Sequence, residues 1–122
     1  MANAEKLTFM VLHGPEQPEH ATLPLVMACA ALASDVEVVI GFQADGVELV
    51  RSGVANTIEA PGFPPFRKLL ADFQELGGKL LVCGPCIKSR GITTSDLIDG
   101  AEVVAAGRFV AEITSSTNSL VY

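Results

Sequence analysis

The chain has no tryptophan, a single tyrosine and three cysteines in 122 residues, and its 8 lysines and arginines are outnumbered by 14 aspartates and glutamates. Each scarcity excludes something. With 49% hydrophobic residues but only 6% aromatic ones, the core has to be aliphatic, built from Val, Leu, Ile and Ala. A formal net charge of -6 argues against nucleic acid and against an anionic membrane surface as partners, because both are held through clustered Lys and Arg. The longest wholly apolar run, residues 23–33, is too short for a membrane-spanning helix. Met1-Ala2-Asn3-Ala4-Glu5-Lys6 lacks the basic and apolar regions of a signal peptide, which predicts a cytoplasmic protein. In that reducing compartment three cysteines read as catalytic, metal-binding or packed thiols rather than as a disulfide framework.

What is present is the pattern of an α/β protein. The length suits one domain, residues 1–122, able to bury roughly two thirds of the surface its unfolded chain exposes. Apolar, β-rich runs at residues 7–12, 36–42, 79–82, 101–105 and 120–122 predict five strands, the first of them central. Between them lie helical patterns. Residues 23–33, capped by Thr22, are apolar on every face and need a cover besides the sheet, which predicts another subunit. A short helix is expected over 45–52, and 54–64 should be irregular. Phe66, Leu69, Leu70, Phe73 and Leu76 fall on one helical face that ends at Gly77-Gly78. Thr93 and Asp96 suggest a capping box for a helix running to Gly100, and residues 107–116 a last helix. Such alternation predicts right-handed crossovers, a mainly parallel five-stranded sheet and a three-layer α/β/α arrangement.

The stretch Leu81-Val82-Cys83-Gly84-Pro85-Cys86-Ile87-Lys88-Ser89-Arg90-Gly91 carries the chemistry. Pro85 fits the first helical position and Gly91 the left-handed residue that closes a helix. Cys83 then sits at a strand tip, facing the positive end of a helix, where thiolate is favoured over thiol. Between Glu75 and Asp96 the only charged residues are Lys79, Lys88 and Arg90, so the pair is expected in a basic pocket. Lys88, Arg90 and, from the loop after the first strand, His13 are candidates for tuning the thiolate or docking a partner. The loop after the first strand opens at the same sheet edge and would bring His13, Glu16 and His20 towards Cys83. Glu16 has no partner that would give it a role.

Several chemistries share this motif. Cys-Gly-Pro-Cys is the sequence of thioredoxin, but no proline follows Pro85 to face a disulfide, so a redox-active pair here would belong to another fold. Cys83, Cys86, His13 and His20 offer a metal site weaker than two paired Cys-x-x-Cys motifs would be, and no metal or cofactor is assigned. A persulfide carrier needs one nucleophilic, accessible thiol, and Cys83 is the candidate. A non-catalytic oligomeric module that binds a small ligand, with two inert thiols, is the bland alternative. Cys29, within the apolar helix, reads as a packing residue.

Cys83 at a strand end, then Arg90-Gly91-Ile92, then Asp96-Leu97-Ile98-Asp99-Gly100-Ala101-Glu102-Val103-Val104 resembles the DsrE/DsrF-like family, which includes YchN- and TusD-like sulfur-relay proteins. The likeness extends to Gly46-Val47 after the second strand and covers nearly the whole chain. It implies a small α/β/α fold and a homotrimer or homohexamer. It also implies sulfur-donor and sulfur-acceptor proteins as partners, and a role as sulfurtransferase or sulfur carrier with Cys83 taking sulfane sulfur as a persulfide. The TusD-type motif has no cysteine at the place of Cys86, so a resolving or redox role for Cys86 rests on its spacing alone.

Overall fold

Five apolar segments become strands and pair into one sheet in the computed structural model, which describes residues 5–122. Met1 to Ala4, part of the stretch read for a leader, lie outside the described residues. The strands are β1 (Lys6–Val11), β2 (Glu37–Phe42), β3 (Lys79–Cys83), β4 (Ala101–Val104) and β5 (Asn118–Val121), in the order β4-β3-β2-β1-β5. Every pairing is parallel. Parallel neighbours need crossovers, and these are α1 (Pro18–Ala33), α2 (Phe66–Glu75), the short α3 (Gly84–Ser89) and α4 (Ala106–Thr114).

The order of the strands decides which face each helix covers. From β1 to β4 the chain steps across the sheet in one direction, and right-handed crossovers put α1 and α2 on one face. The return to β5 runs the opposite way and carries α4 to the other face. The pleat serves both. Phe9, Val11, Val38, Ile40, Phe42, Leu80 and Val82 point into the larger core with Leu25 of α1 and Phe66, Leu70 and Phe73 of α2. Met10, Val39 and Leu81 meet Phe109 of α4 in a smaller one. The register aligns Met10, Gly41 and Leu81 in one row beneath that ring. A Cβ on Gly41 would lie 2.6 Å from Phe109 Cε1 and 2.8 Å from Met10 Sδ, so the missing side chain is what admits α4. Glu112 fastens the helix, accepting from Lys6 Nζ at 2.6 Å and Arg108 Nε at 2.6 Å, and these bonds hold its carboxyl below the usual range.

Several expectations change. β1 is interior, but the middle strand is β2, since β5 adds only one strand beyond β1. α1 begins at Pro18, not after Thr22: Pro18 occupies the first turn, and buried Thr22 donates its hydroxyl to the Pro18 carbonyl at 2.7 Å instead of capping. Residues 44–50 and 54–57 form 3-10 helices, the second within the stretch expected to be irregular. The Thr93–Asp96 capping box forms, with Thr93 N–H donating to Asp96 Oδ2 at 2.8 Å, yet only Thr94–Asp96 winds, as one 3-10 turn. Among the described residues no helix is long and apolar enough to cross a membrane.

Candidate functional site

All five strands run the same way, so β1, β2 and β3 end at one edge, and their following loops meet there. Cys83 follows Val82 on the pleat and emerges half-buried at the tip of β3, touching both cores. Gly84 and Pro85 open α3, Ile87 anchors it in the larger core, and Gly91, at φ +68°, ends it while Ile92 N–H returns to the Ile87 carbonyl at 2.9 Å. That fixes Cys86 one turn beyond Cys83, also half-buried.

The loop after β2 supplies the next layer. Gln43 N–H donates to the Val11 carbonyl at 3.1 Å, and Gly46 lies so close to β1 that a Cβ would collide with that same carbonyl. Pressed down in this way, the chain passes through Ala44 at φ +51°, a left-handed conformation uncommon for alanine. The turn aims Ala44 N–H at Cys86 Sγ, 3.3 Å away. Arg90 closes the arrangement: Nη2 donates to Asp45 Oδ1 at 2.9 Å and Nη1 to the Cys86 carbonyl at 3.1 Å.

Cys83 does not behave as its strand-tip position suggests. It caps α3 without a side-chain cap bond, and a six-residue helix has little dipole to offer. Burial pushes its thiol above the ordinary range, and the neighbouring Cys86 side chain adds to this; the Cys86 backbone N–H and the Arg90 charge pull more weakly the other way. The basic pocket is also diluted. Asp45 arrives from 45 residues upstream to pair with Arg90, a neutralisation invisible between Glu75 and Asp96.

Of the other candidates, Lys88 is exposed on α3 and enters no ion pair among the described residues. His13 is half-buried and its ring faces His20, with centroids 5.0 Å apart; among the described residues neither ring bonds a cysteine. Glu16 turns back to accept from Gly14 N–H at 2.8 Å. Among the described residues no three His, Cys, Asp or Glu side chains are placed to hold a metal ion. Cys29 donates to the Leu69 carbonyl at 3.4 Å, with its thiol pushed up by burial and then by Asp72, which suits a packing role. Sequence reasoning missed Ala44 and Asp45. Gly46, whose place after the second strand stood out, was the only trace of the close approach that sets them.

Comparison with known proteins agrees with this architecture. A family model described as the DsrE/DsrF-like family matches residues 5–122. The uncharacterised protein MJ0989 of Methanocaldococcus jannaschii is 32% identical over 117 residues, covering 96% of this chain and 99% of that one. MK0008 of Methanopyrus kandleri, also uncharacterised, is 32% identical over 116 residues, covering 95% and 93%. Among solved structures, the ychN protein of E. coli superposes with a TM-score of 0.80 at 21% identity, covering 97% of this chain and 99% of that one. A protein of unknown function from Methanobacterium thermoautotrophicum, MTH1491, gives a TM-score of 0.75 at 16% identity, with 97% and 99% covered.

Proposed function

This chain belongs to the DsrE/DsrF-like family, and from that premise we propose that it is a sulfur-relay protein that accepts sulfane sulfur on Cys83 as a persulfide and passes it on. The observation that carries the reading is the Cys83 thiol at the carboxyl edge of the sheet, with a second half-buried thiol, Cys86, one helical turn away. The chemistry is thiol exchange. The Cys83 thiolate attacks the outer sulfur of a donor persulfide, R–S–SH; the donor thiolate leaves, and Cys83–S–SH remains. An acceptor thiolate then takes the terminal sulfur and restores the Cys83 thiolate. Where no acceptor arrives, Cys86 attacks the inner sulfur, releasing sulfide and closing a Cys83–Cys86 disulfide. That step is balanced, the sulfane sulfur being reduced while two thiols are oxidised to the disulfide, and a cellular thiol reductant resets it.

The test is to load the protein with labelled sulfane sulfur and follow the label to an acceptor thiol. Wild type and Cys86→Ser should deliver it and Cys83→Ser should take up none; equal delivery from Cys83→Ser would sink the reading.

The reading includes sulfur-donor and sulfur-acceptor proteins as partners and a homotrimeric or homohexameric assembly, for which exposed Met27 of α1 and Leu76, just past the end of α2, offer apolar area. Sedimentation at three or six times the 12.8 kDa chain mass is expected, and a monomer at micromolar concentration would contradict the assembly.

A further inference from the structure

The two sulfurs of the pair are not equivalent. Cys86 Sγ accepts the Ala44 backbone N–H at 3.3 Å, from a turn that alanine enters only at φ +51°. That turn is tied down twice, by the close fit of Gly46 on the Val11 carbonyl and by the Asp45–Arg90 ion pair at 2.9 Å. Arg90 also reaches the Cys86 carbonyl, so its guanidinium stays beside the same residue. A fixed N–H aimed at that sulfur, with a cation held beside the same residue, stabilises negative charge as it develops there, at no cost in reorganisation. At Cys83 the pull of the Cys86 backbone N–H and of Arg90 is outweighed by burial.

We infer that Ala44 N–H is the charge-stabilising donor for Cys86, positioned by Asp45 and Arg90, and that it makes Cys86 the leaving sulfur when the Cys83–Cys86 disulfide is reduced. An incoming thiolate, RS⁻, is thereby directed to Cys83 Sγ. The S–S bond breaks, its electron pair leaves on Cys86 Sγ, and the products are a Cys83–S–SR mixed disulfide and a Cys86 thiolate that takes a proton from water. A second thiol attacks R–S of that mixed disulfide, giving RSSR and freeing Cys83. Burial of the Cys83 thiol works in the same direction, since the sulfur whose thiol holds its proton more tightly is the poorer leaving group. The consequence is that exchange with outside thiols runs through one sulfur, the same Cys83 that carries the persulfide. The inference rests on the two cysteines being a reactive pair, but not on the source of the sulfur.

The experiment oxidises the pair with diamide, adds glutathione for short times, quenches in acid and maps the first mixed disulfide by peptide mass spectrometry. In wild type the adduct on Cys83 should exceed that on Cys86 by about tenfold or more. Arg90→Gln and Asp45→Asn should each slow reduction and move the ratio towards parity. The double variant should do no more than either alone, because both act through one turn. An adduct mainly on Cys86, an unchanged ratio in Arg90→Gln and Asp45→Asn, or failure of diamide to oxidise the pair would each overturn the inference. A protein that passes this test yet takes up no sulfur from polysulfide would instead end the relay reading alone.

Discussion

At the scale of single residues, Cys83 is chosen by its place and restrained by its surroundings. The strand tip presents it at the edge where loops meet, while burial and the neighbouring Cys86 side chain hold its proton on. Its folded pKa is raised, so at neutral pH the thiolate is the minor form and its share grows as pH rises. Iodoacetamide labelling of Cys83, followed by peptide mapping, should therefore gain about tenfold per pH unit through pH 7 to 9 and show no plateau there. A plateau below pH 7 would mean that the Arg90 charge outweighs burial. This reverses what local sequence suggested. Strand tip, proline and neighbouring Lys88 and Arg90 were legible and pointed to a depressed pKa; the burying core residues and Asp45 come from distant segments. Ala44 was beyond reading, because its part is played by a backbone N–H that any residue but proline carries.

At the scale of elements, α4 and α3 are placed by close approaches. Gly41 lets Phe109 lie on the row formed with Met10 and Leu81, and Gly46 presses the loop after β2 against β1 so that it reaches α3. Gly41→Ala should cost about 1–3 kcal/mol by overpacking, measured by urea unfolding, and Phe109→Leu in the same chain should recover part of it. Additive losses would mean that Gly41 is needed for something other than this ring. Strands and α2 were legible because periodicity reports the buried face directly: Phe66, Leu69, Leu70 and Phe73 are buried, as their spacing required, whereas Leu76, read on the same face, lies past the helix end and is 51% exposed. Starts and stops were less so. Thr22 resembles a cap, but Pro18 can begin a helix one turn earlier, and the Thr93–Asp96 box, though formed, leads into only one turn before Gly100 and β4.

At the scale of the whole molecule, wholly parallel pairing gathers the ends of β1, β2 and β3 at one edge, and this is why residues 44 and 45 meet residues 86 and 90. The layered α/β plan followed from alternation alone, whereas the order β4-β3-β2-β1-β5 did not, since either side of β1 would have accepted β5. The same edge was expected to unite His13 with the cysteines; instead the first loop folds back, pairing His13 with His20 and Glu16 with Gly14. What remains at the site is a pair of half-buried thiols, with Cys86 Sγ held by the Ala44 N–H. The most direct test of that account is intact-mass spectrometry after incubation with polysulfide, comparing wild type, Cys83→Ser and Cys86→Ser. A gain of one sulfur in wild type, lost in Cys83→Ser and longer-lived in Cys86→Ser, is predicted. Equal gain in wild type and Cys83→Ser, or no gain in any of the three, would contradict it.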